Sequence, residues 1–255
     1  MLLVFECAID WYKIINRIIK NFNISYSMTN IGKNQNDILF FDQEYVYNNS
    51  PISRINTHTG DNKKLIELNK LKEKIQNIDN CELKSNAKHI VFGDGDVDSP
   101  IMIVGEGPGK KEDEAGKPFV GDAGLLLNKM LKAININRDM VYVTNVVNYR
   151  PPQNRKPETN EIIRYTEFLN NHISIIKPKI IILLGSTAME ALMGPKLKIT
   201  KERGIWRDIV INNCSYKTIV TFHPAYLLRQ PEQKKYSWID LKNIKKEIDI
   251  LDIQI

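Results

Sequence analysis

Three short polar motifs in this chain follow or interrupt apolar runs, and their side chains are of the kinds that bind and transform ligands. GEGPG (105–109) follows IMIV, Thr144-Asn145 falls inside VYVTNVV, and HPAYLLR (223–229) follows TIVTF. Together they offer a carboxylate at Glu106, an amide with both donor and acceptor at Asn145, and an imidazole at His223. Taken singly, each motif has a plainer account. GEGPG serves as a tight strand-to-helix turn, Asn145 as a cap on the next segment, and His223 as a partly buried histidine. GEGPG is not a dinucleotide fingerprint, because the GxGxxG spacing is absent, and it lacks the GK[ST] ending of a phosphate-binding Walker loop. The other histidines, His58, His89 and His172, carry no motif.

The elements that must position these residues can be read from periodicity. Apolar runs stand at 101–104, 141–147, 180–184 and 218–222, and amphipathic stretches near 122–134, 158–176, 186–194 and 232–250 separate them. Short, continuously apolar strands alternating with helices predict an α/β fold: a three-layer α/β/α sandwich around a mainly parallel four-stranded sheet. In such a sheet the carboxyl ends of the strands share one rim, where ligands bind. Glu106, Asn145 and His223, distant in sequence, are therefore expected in one cleft. Ahead of this region, residues 1–22 read as a helix, 23–64 as a linker or insertion rich in Asn, Ser, Thr, Asp and Gly, and 65–255 as the main domain, which opens on a helix at 65–78.

With 255 residues, 42% hydrophobic and 26% charged, the chain can bury one full core. No apolar run is long enough to span a bilayer, and the apolar start is broken by Glu6, Asp10 and Lys13, without the pattern of a signal peptide. A cytoplasmic, monomeric protein without membrane contact is the expectation. The net charge of +6 favours a polyanionic partner. Lys196, Lys198, Lys201, Arg203 and Arg207 form one basic stretch, either near such a partner or simply solvated. Cys7, Cys81 and Cys214 form no CxxC pair, so their spacing shows neither a disulfide framework nor a zinc site.

At this point longer blocks become recognisable. GEGPGKKEDEAGKPFVGDAGLLLNKML (105–131), VYVTNVVNYRPPQNRKPETNEI (141–162), LGSTAMEAL (184–192), RGIW (203–206) and TFHPAYLLRQPEQKK (221–235) resemble the iron–sulfur type, family 4, uracil-DNA glycosylases. The likeness covers most of residues 70–245. It implies an enzyme that removes uracil from DNA in base excision repair, with uracil-containing DNA as partner. It further implies that Phe119 stacks on a flipped-out base, that Asn145 reads its edge, and that Gly105, Gly107 and Glu106 lie beside base and sugar. His223 would donate to the uracil carbonyl that gains charge as the bond breaks. Tyr226, Leu227, Leu228 and Arg229 would form a wedge that fills the vacated stack and meets phosphate. Gly107 stands where better-known uracil-DNA glycosylases carry a water-activating Asp, so stabilisation of the leaving group is expected to dominate.

One departure from the family concerns its four-cysteine cluster. Cys81 matches one ligand position, while Ile78, Tyr149 and Tyr165 stand at the other three. Four thiolates are needed to hold such a cluster. The expectation is a chain without cofactor or metal, with Ile78, Tyr149 and Tyr165 packed as an apolar plug. The alternatives are a DNA- or uracil-binding module without turnover, a glycosylase that stays attached to its abasic product, and a metal-dependent phosphoesterase. The second is disfavoured by the lack of a His in RPPQNRKP, the third by a rim that offers chiefly Glu106.

Overall fold

The computed structural model describes residues 61–254. The helix expected at 1–22, most of the segment 23–64, and Cys7 lie outside the described residues. The helix expected at 65–78 starts earlier, as α1 (Asp61–Gln76), and is followed by α2 (Glu82–Asn86) and the two-residue strand β1 (Asp94–Gly95). Then come β2 (Ile101–Gly105), α3 (Lys110–Ala115), α4 (Asp122–Lys132), β3 (Tyr142–Asn145), α5 (Thr159–Ile176), β4 (Ile180–Leu184) and α6 (Ser186–Met193). The chain continues with α7 (Ile199–Glu202), β5 (Trp206–Ile211), β6 (Cys214–Thr221), α8 (Pro224–Arg229) and α9 (Lys234–Ile250).

The strands form one six-stranded sheet in the order β1-β3-β2-β4-β6-β5. The inner four, β3, β2, β4 and β6, are parallel, and they are the four read from the apolar runs. The expected four-stranded sheet is corrected at both edges, where β1 and β5 pair antiparallel. Physical reasons hid them. β1 is too short to show a period, and β5 is an edge strand whose Arg207 and Asp208 face solvent. A tight hairpin joins β5 to β6 through Asn212 and Asn213, both with positive φ (49° and 63°), as a twist-compatible two-residue turn requires.

Strand alternation divides the core. Met102 and Val104 of β2 face α1, α5 and α6, in a cluster with Leu71, Ile75, Leu169, Ile173 and Met189. Ile101 and Ile103 face the other way, with Leu127 and Leu131 of α4, Leu227 of α8 and Ile244 and Ile248 of α9. Each buried aliphatic side chain contributes on the order of 1.5–3 kcal/mol. Both faces of the sheet are thus covered, which is what continuous apolar strands require.

The first cluster also takes in Cys81, Tyr149 and Tyr165, and Ile78 packs against it. Tyr165 is 1% exposed, and its Oη lies 3.3 Å from Cys81 Sγ. Burial raises the pKa of the Tyr149 and Tyr165 phenols, so both stay neutral. On the same side His172 stacks on Phe92 with centroids 4.3 Å apart and bonds Tyr142 Oη at 2.9 Å. Burial depresses the His172 pKa to about 3.

Two outcomes follow from this core. Tyr165→Ala should lower stability by roughly 3–5 kcal/mol in urea titrations, the cost of a large cavity, whereas Tyr165→Phe should cost at most about 1 kcal/mol, since it loses one weak bond to sulfur. The second outcome concerns pH. Unfolded, His172 takes a proton near pH 6.5, and folded only near pH 3, so between these values the unfolded state binds more protons. Stability from this group is complete above pH 6.5 and falls as pH drops toward 3, at about 1.4 kcal/mol per unit. His172→Gln, which keeps a hydrogen-bonding partner for Tyr142, should flatten that acid limb.

Candidate active site

The register of the parallel strands sets the rim. Gly105, last residue of β2, pairs across to Asn145, last of β3, and Leu184 of β4 pairs to Thr221 of β6. The chain leaves β2 for β3 on one side and then crosses to β4 on the other, so the carboxyl ends of the central strands open onto a switch-point crevice. There the structure has a cleft of about 230 Å³ whose lining includes Glu106, Gly107, Phe119, Asn145, His223, Arg155 and Arg229. The three motifs converge as the topology demands.

Close approach explains why the first motif residue is glycine. A Cβ on Gly105 would collide with Asn145 Oδ1 and stand 2.6 Å from the Phe119 ring. Asn145 and Phe119 therefore pack over the bare backbone at 105. Phe119 adopts a positive φ of 57°, unusual for an aromatic residue, and its ring lies 5.7 Å from that of His223. Asn145 is 3% exposed, and its Oδ1 is buried with no hydrogen-bond partner among the described residues. Buried polar atoms are almost always paired, so an orphan acceptor beside a cleft marks a place for a ligand's donor.

His223 caps α8: the Ala225 backbone N–H donates to its Nδ1 at 3.1 Å. An accepting Nδ1 carries no proton, so the neutral ring bears its hydrogen on Nε2. Burial first, and the charge of Arg229 second, push the His223 pKa down to about 4. The cleft thus contains a neutral imidazole whose Nε2–H is its available donor. The Glu106 carboxylate accepts a hydrogen bond from Thr187 Oγ1.

Of the residues expected to contact DNA, Leu228 and Arg229 are exposed and Tyr226 is partly buried on Phe222. Leu227 is corrected. At 1% exposure it belongs to the core beneath α8, because a short helix must turn one residue inward to hold on. Of the basic stretch, Arg203 and Arg207 have carboxylate partners within the chain. Arg203 Nε donates to the fully buried Asp240 at 3.1 Å, while Thr221 donates to the same carboxylate at 2.7 Å, and Arg207 pairs with Glu202. Arg203 therefore braces the end of β6 behind His223, with its guanidinium 5.4 Å from the Phe222 ring.

Sequence reasoning missed two residues that line the cleft. Glu112 accepts from the backbone N–H of Gly109 (3.1 Å) and of Gly121 (2.8 Å), tying the GEGPG loop to PFVG. Arg155 makes a two-pronged pair with Glu161 at 2.7 and 2.8 Å, which fixes the RPPQNRKP loop on the start of α5 and holds the Glu161 carboxyl below its usual range. The G-x-x-E spacing of a helix start was the available signal for Glu112. Arg155 stood in a quoted block without a reason to single it out.

The profile of the uracil DNA glycosylase superfamily matches residues 92–243. Relatives include a type-4 uracil-DNA glycosylase of Thermotoga maritima, 42% identical over 175 residues, covering 68% of this chain and 89% of that protein. A type-4 uracil-DNA glycosylase of Pyrobaculum aerophilum is 41% identical over 170 residues, covering 65% and 87%. A type-5 uracil-DNA glycosylase of the same organism is only 26% identical over 148 residues, covering 52% and 64%, which sets this chain with type 4. These relatives overturn the expectation of a chain without cofactor, because type 4 is the iron–sulfur class that the motifs resemble. The described donors do not fit a four-thiolate cluster. Cys81 is buried against Tyr165 and Cys214 is exposed on β6, and no described group of three or more His, Cys, Asp or Glu could hold a metal ion. No helix among the described residues is long and apolar enough to cross a membrane. On the profile match and the type-4 identities, this chain belongs to the uracil-DNA glycosylase superfamily, among its type-4 members.

Proposed function

We propose that this chain hydrolyses the N-glycosidic bond between uracil and deoxyribose in DNA, the opening step of base excision repair. The observation that carries the reading is the orphan Oδ1 of Asn145, set beside an aromatic ring and a neutral histidine. Uracil presents an imide N–H flanked by carbonyls. Asn145 Oδ1 accepts that N–H and its amide N–H donates to a neighbouring carbonyl. Cytosine has a ring acceptor and an amino group along the same edge, so it meets Asn145 with mismatched polarity. Phe119 supplies the stacking face.

As the bond from C1′ to the base nitrogen breaks, its electron pair moves onto uracil and its oxygens gain charge. The Nε2–H of His223 is a donor for that charge, and a preorganised donor acts mainly in the transition state. Glu106 is the carboxylate available to the positive charge that develops on the sugar and to the water whose oxygen bonds to C1′. The backbone of Gly105 and Gly107 leaves room for base and sugar to sit close. Reaching the cleft requires the nucleotide to leave the duplex, at a few kcal/mol. Tyr226, Leu228 and Arg229 are the surface that supports this, with the wedge now lacking Leu227. A monomeric, cytoplasmic enzyme acting on DNA fits the same reading.

The test is release of free uracil from single- and double-stranded oligonucleotides that carry one uracil. A chain that binds them and releases nothing would be a binding module instead. Asn145→Ala should cut the single-turnover rate sharply with little change in DNA affinity, since unpaired groups on the bound base cost roughly 1–3 kcal/mol each. His223→Ala should slow the chemical step on the order of 100- to 1000-fold. A loss of tenfold or less would assign the departing uracil to another donor.

A further inference from the structure

We infer that Thr187 is a positioning residue that holds Glu106 in its working orientation; the inference rests on the reading of the cleft given above. Strand β4 lies between β2 and β6, so its exit loop runs between the loops that carry Glu106 and His223. That loop, from LGSTAMEAL, contributes no side chain to the cleft lining, yet it touches both of its neighbours. Gly185 has a φ of +91°, and a Cβ there would lie 3.0 Å from His223 Cβ, so glycine lets the loop run against the histidine.

Two residues on, in the first turn of α6, Thr187 is fully buried. Its Oγ1 donates to Glu106 Oε2 at 2.5 Å, across 81 positions of sequence. This is the hydrogen bond that anchors the Glu106 carboxylate among the described residues. A glutamate has three rotatable bonds, and on a loop at the mouth of a cleft it would sample many directions. The threonine hydroxyl fixes one carboxylate oxygen and leaves Oε1 for the sugar cation or the water. The β-branch of threonine restricts χ1, so the hydroxyl is itself aimed before the ligand arrives. Hydrogen bonds to charged groups are the stronger class, and burial keeps water from replacing this donor. Thr187 acts on the reaction through Glu106.

Single-turnover uracil release, DNA affinity and melting temperature, measured on the full chain, test this. Thr187→Val keeps the shape and removes the donor. It should slow release on the order of 10- to 100-fold while DNA affinity stays at the wild-type value and the melting temperature, lowered by a few degrees for the lost hydrogen bond, stays well above the assay temperature. Thr187→Ser, which retains the hydroxyl, should restore most of the rate. In a Glu106→Ala background, Thr187→Val should change nothing further, because the group it positions is gone. The inference is overturned by a Thr187→Val rate equal to wild type, by an equal loss in Thr187→Ser, or by an undiminished loss in the Glu106→Ala background. Wild-type protein that releases no uracil would overturn the proposed function and this inference together. Wild-type release with an indifferent Thr187 would overturn the inference alone.

Discussion

The inner strands β2, β3 and β4 are buried at every position and β6 is buried from Thr218 onward, mostly through aliphatic residues, so they can lie only between two layers of helices, and the active cleft is a consequence of that burial. Parallel pairing follows because the connections between successive inner strands run through helices, the last of them reaching β6 by way of the β5 hairpin. Parallel pairing in turn gathers every strand-to-helix exit on one rim. Gly105 and Asn145 become neighbours by register, and His223 joins them across β4. The interior of the sheet carries the folding free energy while its carboxyl end collects the polar groups. The same hydrophobic core that stabilises the fold therefore sets the distances among residues more than a hundred positions apart.

The rim is arranged at some cost to stability. Asn145 buries an acceptor without a partner, which typically costs roughly 1–3 kcal/mol until a ligand supplies the donor. His223 is kept neutral by burial and by the charge of Arg229. Phe119 holds a left-handed backbone, a conformation worth about 1–3 kcal/mol of strain in a bulky residue. Each of these features is unfavourable in the free protein, and under the function proposed above each turns to use when a flat polar base fills the cleft. They sit at the end of a sheet whose interior residues are close to fully buried, and such a scaffold can hold them in place.

The inner strands and the convergence of Glu106, Asn145 and His223 were legible in the sequence, because apolar runs followed by unusual polar residues are signals local to the chain. What escaped was non-local or solvated. β5 went unread because an edge strand with Arg207, Asp208 and Val210 in solvent has no continuous apolar run. Arg203 looked like a surface cation because its partner Asp240 lies 37 residues away on α9. Leu227 and Leu228 are adjacent and chemically alike, yet one is core and the other solvent. A six-residue helix is too short for periodicity to say which is which. The family's cysteine pattern was visible as a departure at Ile78, Tyr149 and Tyr165, and packing then showed those residues joined to one core cluster.

A common device holds the rim loops. Glu112 in the first turn of α3 ties Gly109 to Gly121, and Glu161 in the first turn of α5 binds Arg155. Thr187 in the first turn of α6 binds Glu106, and the N–H of Ala225 in the first turn of α8 fixes the His223 ring. The first N–H groups of a helix have no partner within it, and side chains there project back toward the preceding loop. In a parallel sheet that preceding loop is the rim. The groups a helix leaves unpaired at its start are therefore the ones best placed to orient the residues that do chemistry. Four of the five recognisable blocks accordingly run through a strand end into the first turn of the next helix, RGIW being the exception, so each rim loop and a helix start that braces the rim are built from one stretch of chain.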